Sequence, residues 1–554
     1  MKFFNSHKLL TLIFVIALFF RLYRLGEIPV GFHADEVRVG WNAYSIMKTG
    51  MDDRGNRFSL YYNTFGDYRP TGIFYLTIPS IFIFGNNEFA VRLPSALLGA
   101  LTIFPLFFLV REVIRLAGRN STRNYSETVT FGALALLTIS PWHINVSRST
   151  SEVAIAMFLV LLGMYFLLSF LNQKERKFLL ASLVIFLASY FFYHSARILV
   201  PLFAVATIGY YWKSLAGNSR KIAILAIVIL SVFTFLFSLD ARARGRFSQV
   251  SIFNDLNVQH ELSKMPYEEG PGKVFIARLF HNKLSVYARR FVEEYGRYFS
   301  SDFLISKEAK PARYKTVGVG VLTYVELVVL ITGLVAIVQR KAPALPLLLL
   351  LVAPIPAALT TEDSPNLHRS FFMVIWILII GGYGIFYLSN FKNWGKIFLK
   401  GVLSLLVLNF IFYLHMYYVH DKVHAPLYRN VGARDLAIKL EEIQKNYDKI
   451  ILTNIPDDPY PWIAFFTNRD PLLFNKDAVK REKGDWGTEN LYFTGLRCPS
   501  RDAFTKPDVE KLLVVDADGC YSESNLRGKQ GITTERILRT DGTEVYVLWS
   551  NVVP

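Results

Sequence analysis

Apolar residues in this chain gather in runs broken by short polar turns, where a soluble fold would scatter them at helical or strand periods. A helix needs about 20 apolar residues to cross a bilayer, with a range of about 17 to 25. On that measure the runs near 9–23, 92–110, 128–144, 154–171, 178–192, 198–212, 222–237, 317–338, 345–360, 371–388 and 397–418 predict about eleven transmembrane helices. The run TGIFYLTIPSIFIFG, residues 71–85, is short and carries Pro79. Five turns between the runs are basic: REVIRLAGRNSTR, NQKERK, KSLAGNSRK, QRKA and NFKNWGK. Lys and Arg collect in cytoplasmic loops, so these turns and the N-terminus are expected inside. If residues 71–85 also crossed, the first arginine-rich turn would lie outside, so they are expected along the outer membrane surface instead.

The outer side then receives a first loop from about 24 to 88, with amphipathic surface helices near 36–48 and 71–84. It also receives the loop 238–316 and the chain after about 420. That tail alternates helix-like GARDLAIKLEEIQKNY with strand-like KIILTNI and KLLVVDA, and closes on RILRTDGTEVYVLW, a hairpin turned at Asp541-Gly542. The expected organisation is a polytopic α-helical membrane domain, 1–420, and a small extracytoplasmic α/β domain, 421–554.

Composition agrees: of 554 residues, 52% are hydrophobic, 15% aromatic and only 19% charged, which a soluble globular chain rarely combines. The formal charge of +17 is therefore topological information about loops and headgroups, not a nucleic-acid signature. Cys498 and Cys520 both fall in the tail, without zinc-site spacing. A disulfide and two unrelated thiols both stay open.

Ionisable residues at membrane level are expensive and mark cavities or substrates. Here they collect at the external ends of helices: Asp35, Glu36, Asp52, Asp53, Asp67, Arg69, His143, Arg148, Glu152, His194, Arg197, Glu362, Asp363, His368 and Arg369. The stretch GFHADEVRVGWNAY, directly behind the first apolar run, holds adjacent acids. On a helix Asp35 and Glu36 diverge by about 100°, so one can act on a substrate while its neighbour takes a supporting partner. A partly desolvated carboxylate is a stronger base for an alcohol proton; acids in a first helical turn also simply complement the helix dipole. Arginines facing the outside suit a lipid phosphate, because guanidinium binds it bidentately and stays charged. Candidates are Arg69, Arg148, Arg197, Arg242, Arg244, Arg246 and Arg369.

The block from ADEVRVGWNAYSIMKTG through DDRGNRFSLYYNTFGDYRPTGIFYLTIPSIFIFGNNEFAVRLPSALLGAL resembles the first loop and second span of integral-membrane GT-C glycosyltransferases, the protein O-mannosyltransferases and aminoarabinose transferases. SPWHINVSRSTSE, YHSARILVPLF and SPNLHRSFFMVIWILIIGGYG resemble later blocks of bacterial members. The resemblance implies a transferase that takes its sugar from a polyprenyl-phosphate donor outside the cytoplasmic membrane. It implies Asp35 as general base, Glu36 beside it, and inversion at the anomeric carbon. The acceptor would be a protein, glycolipid or glycan. Asp67, Tyr68, His143, Glu152, His194 and His368 are the expected substrate or supporting residues. Some relatives use a divalent cation, and Asp52, Asp53, Asp67, His143, Glu152 or His194 offer ligands, so a metal stays open. A transporter or flippase of a lipid-linked sugar is the alternative, but such proteins show repeated halves and midplane charges, and neither is visible.

Overall fold

The computed structural model describes residues 6–64, 67–118, 122–270, 272–306, 309–391, 395–455, 457–473, 485–505, 508–520, 526 and 531–552. Parts of two basic turns, 119–121 and 392–394, lie outside the described residues. Through the first loop and the spans after it the helices are α1 (Ser6–Leu22), α2 (Ala34–Thr49), α3 (Gly72–Phe84), α4 (Glu88–Leu101), α5 (Ile103–Leu116), α6 (Arg123–Ile139), α7 (Pro141–Arg148), α8 (Glu152–Gln173), α9 (Arg176–Ser189), α10 (His194–Tyr210) and α11 (Gly217–Leu239). They continue as α12 (Ala241–Val250), α13 (Leu256–Glu268), α14 (Val274–Phe280), α15 (Lys283–Arg297), α16 (Ser301–Leu304), α17 (Tyr324–Val338), α18 (Leu345–Val352), α19 (Ile355–Ala358), α20 (Met373–Ser389), α21 (Gly395–His415), α22 (Asp421–His424), α23 (Ala433–Ile443) and α24 (Tyr460–Phe466). The chain is a polytopic helical membrane protein with a small carboxyl-terminal sheet region.

The expected spans recur as helices, with breaks that hydropathy alone does not see. Among the described residues, four apolar helices reach 18 residues: Glu88–Leu116, Glu152–Gln173, Gly217–Leu239 and Gly395–His424. The others are shorter, several of them at 17 residues: α1, α6, α10 and α20. The run 128–144 is not one helix: α6 stops at Ile139 and α7 leaves at 54°. Pro141 cannot donate back into α6, and the Ser140 side chain accepts from His143 N instead (3.4 Å). The run 345–360 likewise divides at Pro354 into α18 and α19. The run 317–338 becomes helical only at Tyr324, behind a capping box of Thr323 and Glu326. Helix α3, at 13 residues and about 20 Å, is too short to cross.

Contacts divide the chain into two compact units: Met1–Tyr23, Leu60–Thr71 and Ser95–Met416, and Arg24–Ser59, Gly72–Pro94 and Tyr417–Pro554. One cut falls at Met416/Tyr417, beside the boundary expected near 420, but the first loop does not go wholly with the membrane domain. The tail shares its unit with two segments of the first loop, because those segments carry apolar faces that the tail covers.

In the first unit, α20 is buried along almost its whole length and packs on α6 and α17. Backbones touch where side chains are missing: a Cβ on Gly333 would fall 1.9 Å from the Ile380 carbonyl, and one on Gly384 2.1 Å from that of Val329. Small residues at such crossings are how helices associate in lipid. A two-stranded ribbon, β1 (Tyr61–Thr64) and β2 (Asp67–Pro70), also belongs to this unit, with Tyr62 opposite Arg69.

In the second unit the tail forms a six-stranded mixed sheet from β3 (Lys449–Thr453), β4 (Trp486–Thr488), β5 (Leu491–Thr494), β6 (Leu512–Ala517), β7 (Thr533–Leu538) and β8 (Glu544–Ser550). The order is β4-β5-β3-β6-β8-β7, with β3 parallel to β5 and β6 and the remaining pairs antiparallel. The expected helix, two strands and Asp541-Gly542 hairpin are all present; β4 and β5 were not anticipated. Cys498 and Cys520 are joined in a disulfide. The segment leading into α2 packs on α24 of the tail: the Trp462 indole donates to the Phe32 carbonyl (2.7 Å), and the Phe32 and Phe465 rings stack at 5.7 Å. Pro94 leaves the Ala90 carbonyl without its helical donor, and the Ser80 hydroxyl of α3 takes that place.

Candidate active site

The acids of the opening motif begin α2. His33 is the N-cap: its Nδ1 accepts from Asp35 N (3.0 Å), while the Glu36 carboxylate reaches back to His33 N (3.4 Å). The next bonds separate the two acids. Glu36 is fully buried, whereas Asp35 keeps partial exposure. Arg92 of α4 grips Glu36 through Nε (2.9 Å) and Nη2 (3.1 Å), and Arg429 adds a third contact at 2.8 Å. The spare donors are used as well: Arg92 Nη1 donates to the Leu25 and Pro29 carbonyls (3.1 and 2.9 Å), and Arg429 Nε to Val30 O (3.0 Å). Burial alone would raise the Glu36 carboxyl, but the two guanidiniums outweigh it and hold the group well below the usual carboxylate range. Gly31, at φ +74°, lets this knot close, since a Cβ there would fall 2.5 Å from the Arg429 carbonyl.

Asp52 and Asp53 follow α2 in the same unit. Asp52 Oδ1 accepts from Arg54 N (3.0 Å) and Asn56 N (2.8 Å), closing the turn, and Asp53 N donates to Asn42 Oδ1 (3.1 Å). Among the described residues no three His, Cys, Asp or Glu side chains come together as a metal site.

In the first unit, a second group forms around the β1–β2 ribbon. His194 Nε2 lies 2.8 Å from Tyr68 O, and Arg197 Nη1 lies 3.2 Å from His194 Nδ1 and donates to the Tyr61 hydroxyl at 2.7 Å. A guanidinium only donates, so Nδ1 accepts and the His194 proton sits on Nε2, facing the Tyr68 carbonyl. Arg197 and Arg242 each lie 5.1 Å from the centre of the Tyr61 ring. The result is a cationic, aromatic cluster in which Tyr61 and Arg197 are buried, Arg197 also donating to the Tyr190 carbonyl through Nε (3.1 Å) and Nη2 (2.9 Å), while Tyr68, His194 and Arg242 keep exposure. The backbones of Asp67 and Arg246 lie in β2 and α12, but their side chains lie outside the described residues.

Other expected residues have structural partners. Arg148 is fully buried and donates to the Phe20 and Tyr23 carbonyls (2.7 and 2.8 Å) at the end of α1. It caps that helix, which corrects its expected place as an open phosphate ligand. His143 Nδ1 accepts from Arg21 (2.8 Å) in the core. His368 Nε2 meets Ser151 Oγ at 3.0 Å and its ring stacks on Tyr314 at 4.7 Å. Arg369 donates to Thr360 Oγ1 (2.9 Å) and Glu362 O (2.8 Å) and pairs with the Glu362 carboxylate. Glu152 opens α8, half-exposed.

Residues 68–237 match the family described as dolichyl-phosphate-mannose-protein mannosyltransferases. No curated protein sequence matches the chain. Among solved structures, ArnT from Cupriavidus metallidurans bound to undecaprenyl phosphate superposes with a TM-score of 0.51 at 12% identity, covering 99% of this chain and 98% of that one. Its apo state gives the same score at 13% identity and the same coverage. The chain has a GT-C fold. A complex of the archaeal oligosaccharyltransferase AglB from Archaeoglobus fulgidus with an inhibitory peptide and a dolichol-phosphate scores 0.48 at 11% identity, over 92% of this chain and 69% of that one.

Within this GT-C fold the sequence pointed to Asp35 but missed what holds its helix. Arg92 stands in FAVRLPSALL, a charge at the mouth of an apolar run, and that was a readable signal for a buried pair. Arg429, in APLYRNVG, had none, because its partner is 393 residues away.

Proposed function

We propose that this protein is a membrane glycosyltransferase that moves a sugar from a polyprenyl-phosphate carrier to an acceptor hydroxyl on the outer side of the cytoplasmic membrane. The observation that carries the reading is the division of labour at α2. Glu36 is locked by two buried arginines, and its neighbour Asp35 is left with solvent access at a rigid helix start. A general base needs both properties, a fixed position and room for a substrate.

Asp35 takes the proton from the acceptor hydroxyl as that oxygen attacks the anomeric carbon in line. The bond from that carbon to the phosphate oxygen breaks, the carrier leaves as its phosphate, and configuration inverts. A phosphate leaving group needs no protonating acid, unlike the two-carboxylate hydrolases. Arg69 and Arg369, with Arg242, are the arginines assigned to the donor phosphate; Arg197, buried with Nε and Nη2 on the Tyr190 carbonyl, instead braces Tyr61 and His194, and Arg148 is withdrawn. Glu36 is a positioning residue rather than a second catalytic acid. The family match over residues 68–237 and the fold shared with ArnT, a protein solved with undecaprenyl phosphate bound, support the lipid carrier. The basic turns of the membrane domain and the Cys498–Cys520 disulfide support an external tail.

Mass spectrometry of envelope and secreted glycans from cells with and without the protein tests the activity and reports sugar and acceptor together. In that assay Asp35→Asn is expected to lower product by about 100- to 10,000-fold, the usual loss for a general base, with unchanged melting in detergent. Full activity in a folded Asp35→Asn protein would remove Asp35 from the mechanism.

A further inference from the structure

Two consecutive tail residues, Arg429 and Asn430, both bind the start of α2. Arg429 holds Glu36, while Asn430, in left-handed backbone at φ 50°, uses both ends of its amide. Its Oδ1 accepts from Ala34 N, the first helical amide (3.2 Å), and its Nδ2 donates to the Asp457 carboxylate (2.8 Å). Because Asp457 accepts only, it fixes which way the amide faces and so directs Oδ1 at α2. The adjacent acid is employed elsewhere: Asp458 Oδ1 accepts from Tyr460 N (3.0 Å) at the start of α24. Asp457 is thus a tail carboxylate joined through Asn430 to the start of the helix that bears Asp35.

We propose that Asp457 is a positioning residue for Asp35, orienting the α2 start through Asn430 and raising the basicity of Asp35 by its negative charge. The proposal rests on Asp35 being the base. Its physical need is clear from the surroundings. The amide dipoles at a helix start stabilise a carboxylate and make it a weaker base. Arg38, one turn along α2, acts in the same sense on Asp457, and the Arg92–Glu36–Arg429 knot beside Asp35 carries a net positive charge. A like charge opposes all of these, since each carboxylate disfavours ionisation of the other. Further groups near the pair, among the described residues, include His33 at the N-cap and, from the tail, Asp458 and Tyr546 of β8. In keeping with this, burial first and then the charges of Asp35 and Asp458 push the Asp457 carboxyl up, against the Asn430 hydrogen bond and Arg38.

A water-soluble carbodiimide labels protonated carboxyls, so labelling of the full-length protein in detergent across pH, read by peptide mass spectrometry, gives a midpoint for each acid without a known substrate. Asp457→Asn is expected to move the Asp35 midpoint down by about 0.5 to 1 pH unit, the size of a neighbouring like charge in a half-solvated site. Linkage demands the reciprocal: Asp35→Asn moves the Asp457 midpoint down equally. The reciprocal variant keeps the test open if Asp457→Asn does not fold. Unmoved midpoints would overturn the coupling even if Asp35→Asn abolishes transfer. Shifted midpoints together with a fully active Asp35→Asn protein would leave the coupling standing and overturn the base assignment instead. Asp457→Glu, which restores charge, is expected to bring the Asp35 midpoint back; failure to do so also counts against the proposal.

Discussion

Neighbouring carboxylates in this protein meet opposite fates because of what a helix does to adjacent side chains. One step along α2 turns Glu36 into the unit's interior, where Arg92 and Arg429 close on it, while Asp35 keeps partial exposure. A buried charge pair contributes little over an apolar substitute, but removing one partner strands the others. Glu36→Gln is therefore expected to cost about 3 to 5 kcal/mol, visible as a large fall in melting temperature. A melt at the wild-type temperature would refute the knot. The pH dependence follows from the depressed carboxyl: its stabilising effect is complete above the unfolded value of about 4.3 and is lost as pH falls below it. Melting between pH 6 and 3 checks this, with the loss expected at the acidic end and absent in Glu36→Gln. The sequence made the acid pair conspicuous but left its roles undivided, since the deciding cations are remote in the chain.

Whole elements were legible wherever length and apolarity sufficed, as in α8, α11 and α21. They were misread where a single imino acid decided: Pro141 ends α6, Pro354 divides the run 345–360, and a hydropathy window averages over both. The short strands β4 and β5 escaped because neither carries a long alternating pattern. At this scale the turn that leads into α2 is the most sensitive join. Gly31→Ala forces a side chain into left-handed backbone and against the Arg429 carbonyl, which is expected to destabilise by about 2 kcal/mol or more. Thermal melts check it, and a neutral result would mean that the turn relaxes freely.

Across the whole molecule, the expected division at 420 came from composition, which separates greasy from polar segments but does not say which polar segments fold together. The second compact unit is interleaved: two stretches of the first loop and the tail. A protein ending at Met416 is therefore expected to keep its spans yet expose residues 24–59 to protease, measured as new cleavage in detergent. Continued protection of that stretch would contradict the interleaving. The same arrangement sets an order in time. Glu36 leaves the ribosome 393 residues before Arg429, a wait of about 20 to 80 seconds at ordinary rates of synthesis. Throughout that interval the nascent chain carries its acid helix with at most one of the two guanidiniums that complete it. Maturation of the helix thus waits for the synthesis of Arg429, and a chain released before that residue never finishes it.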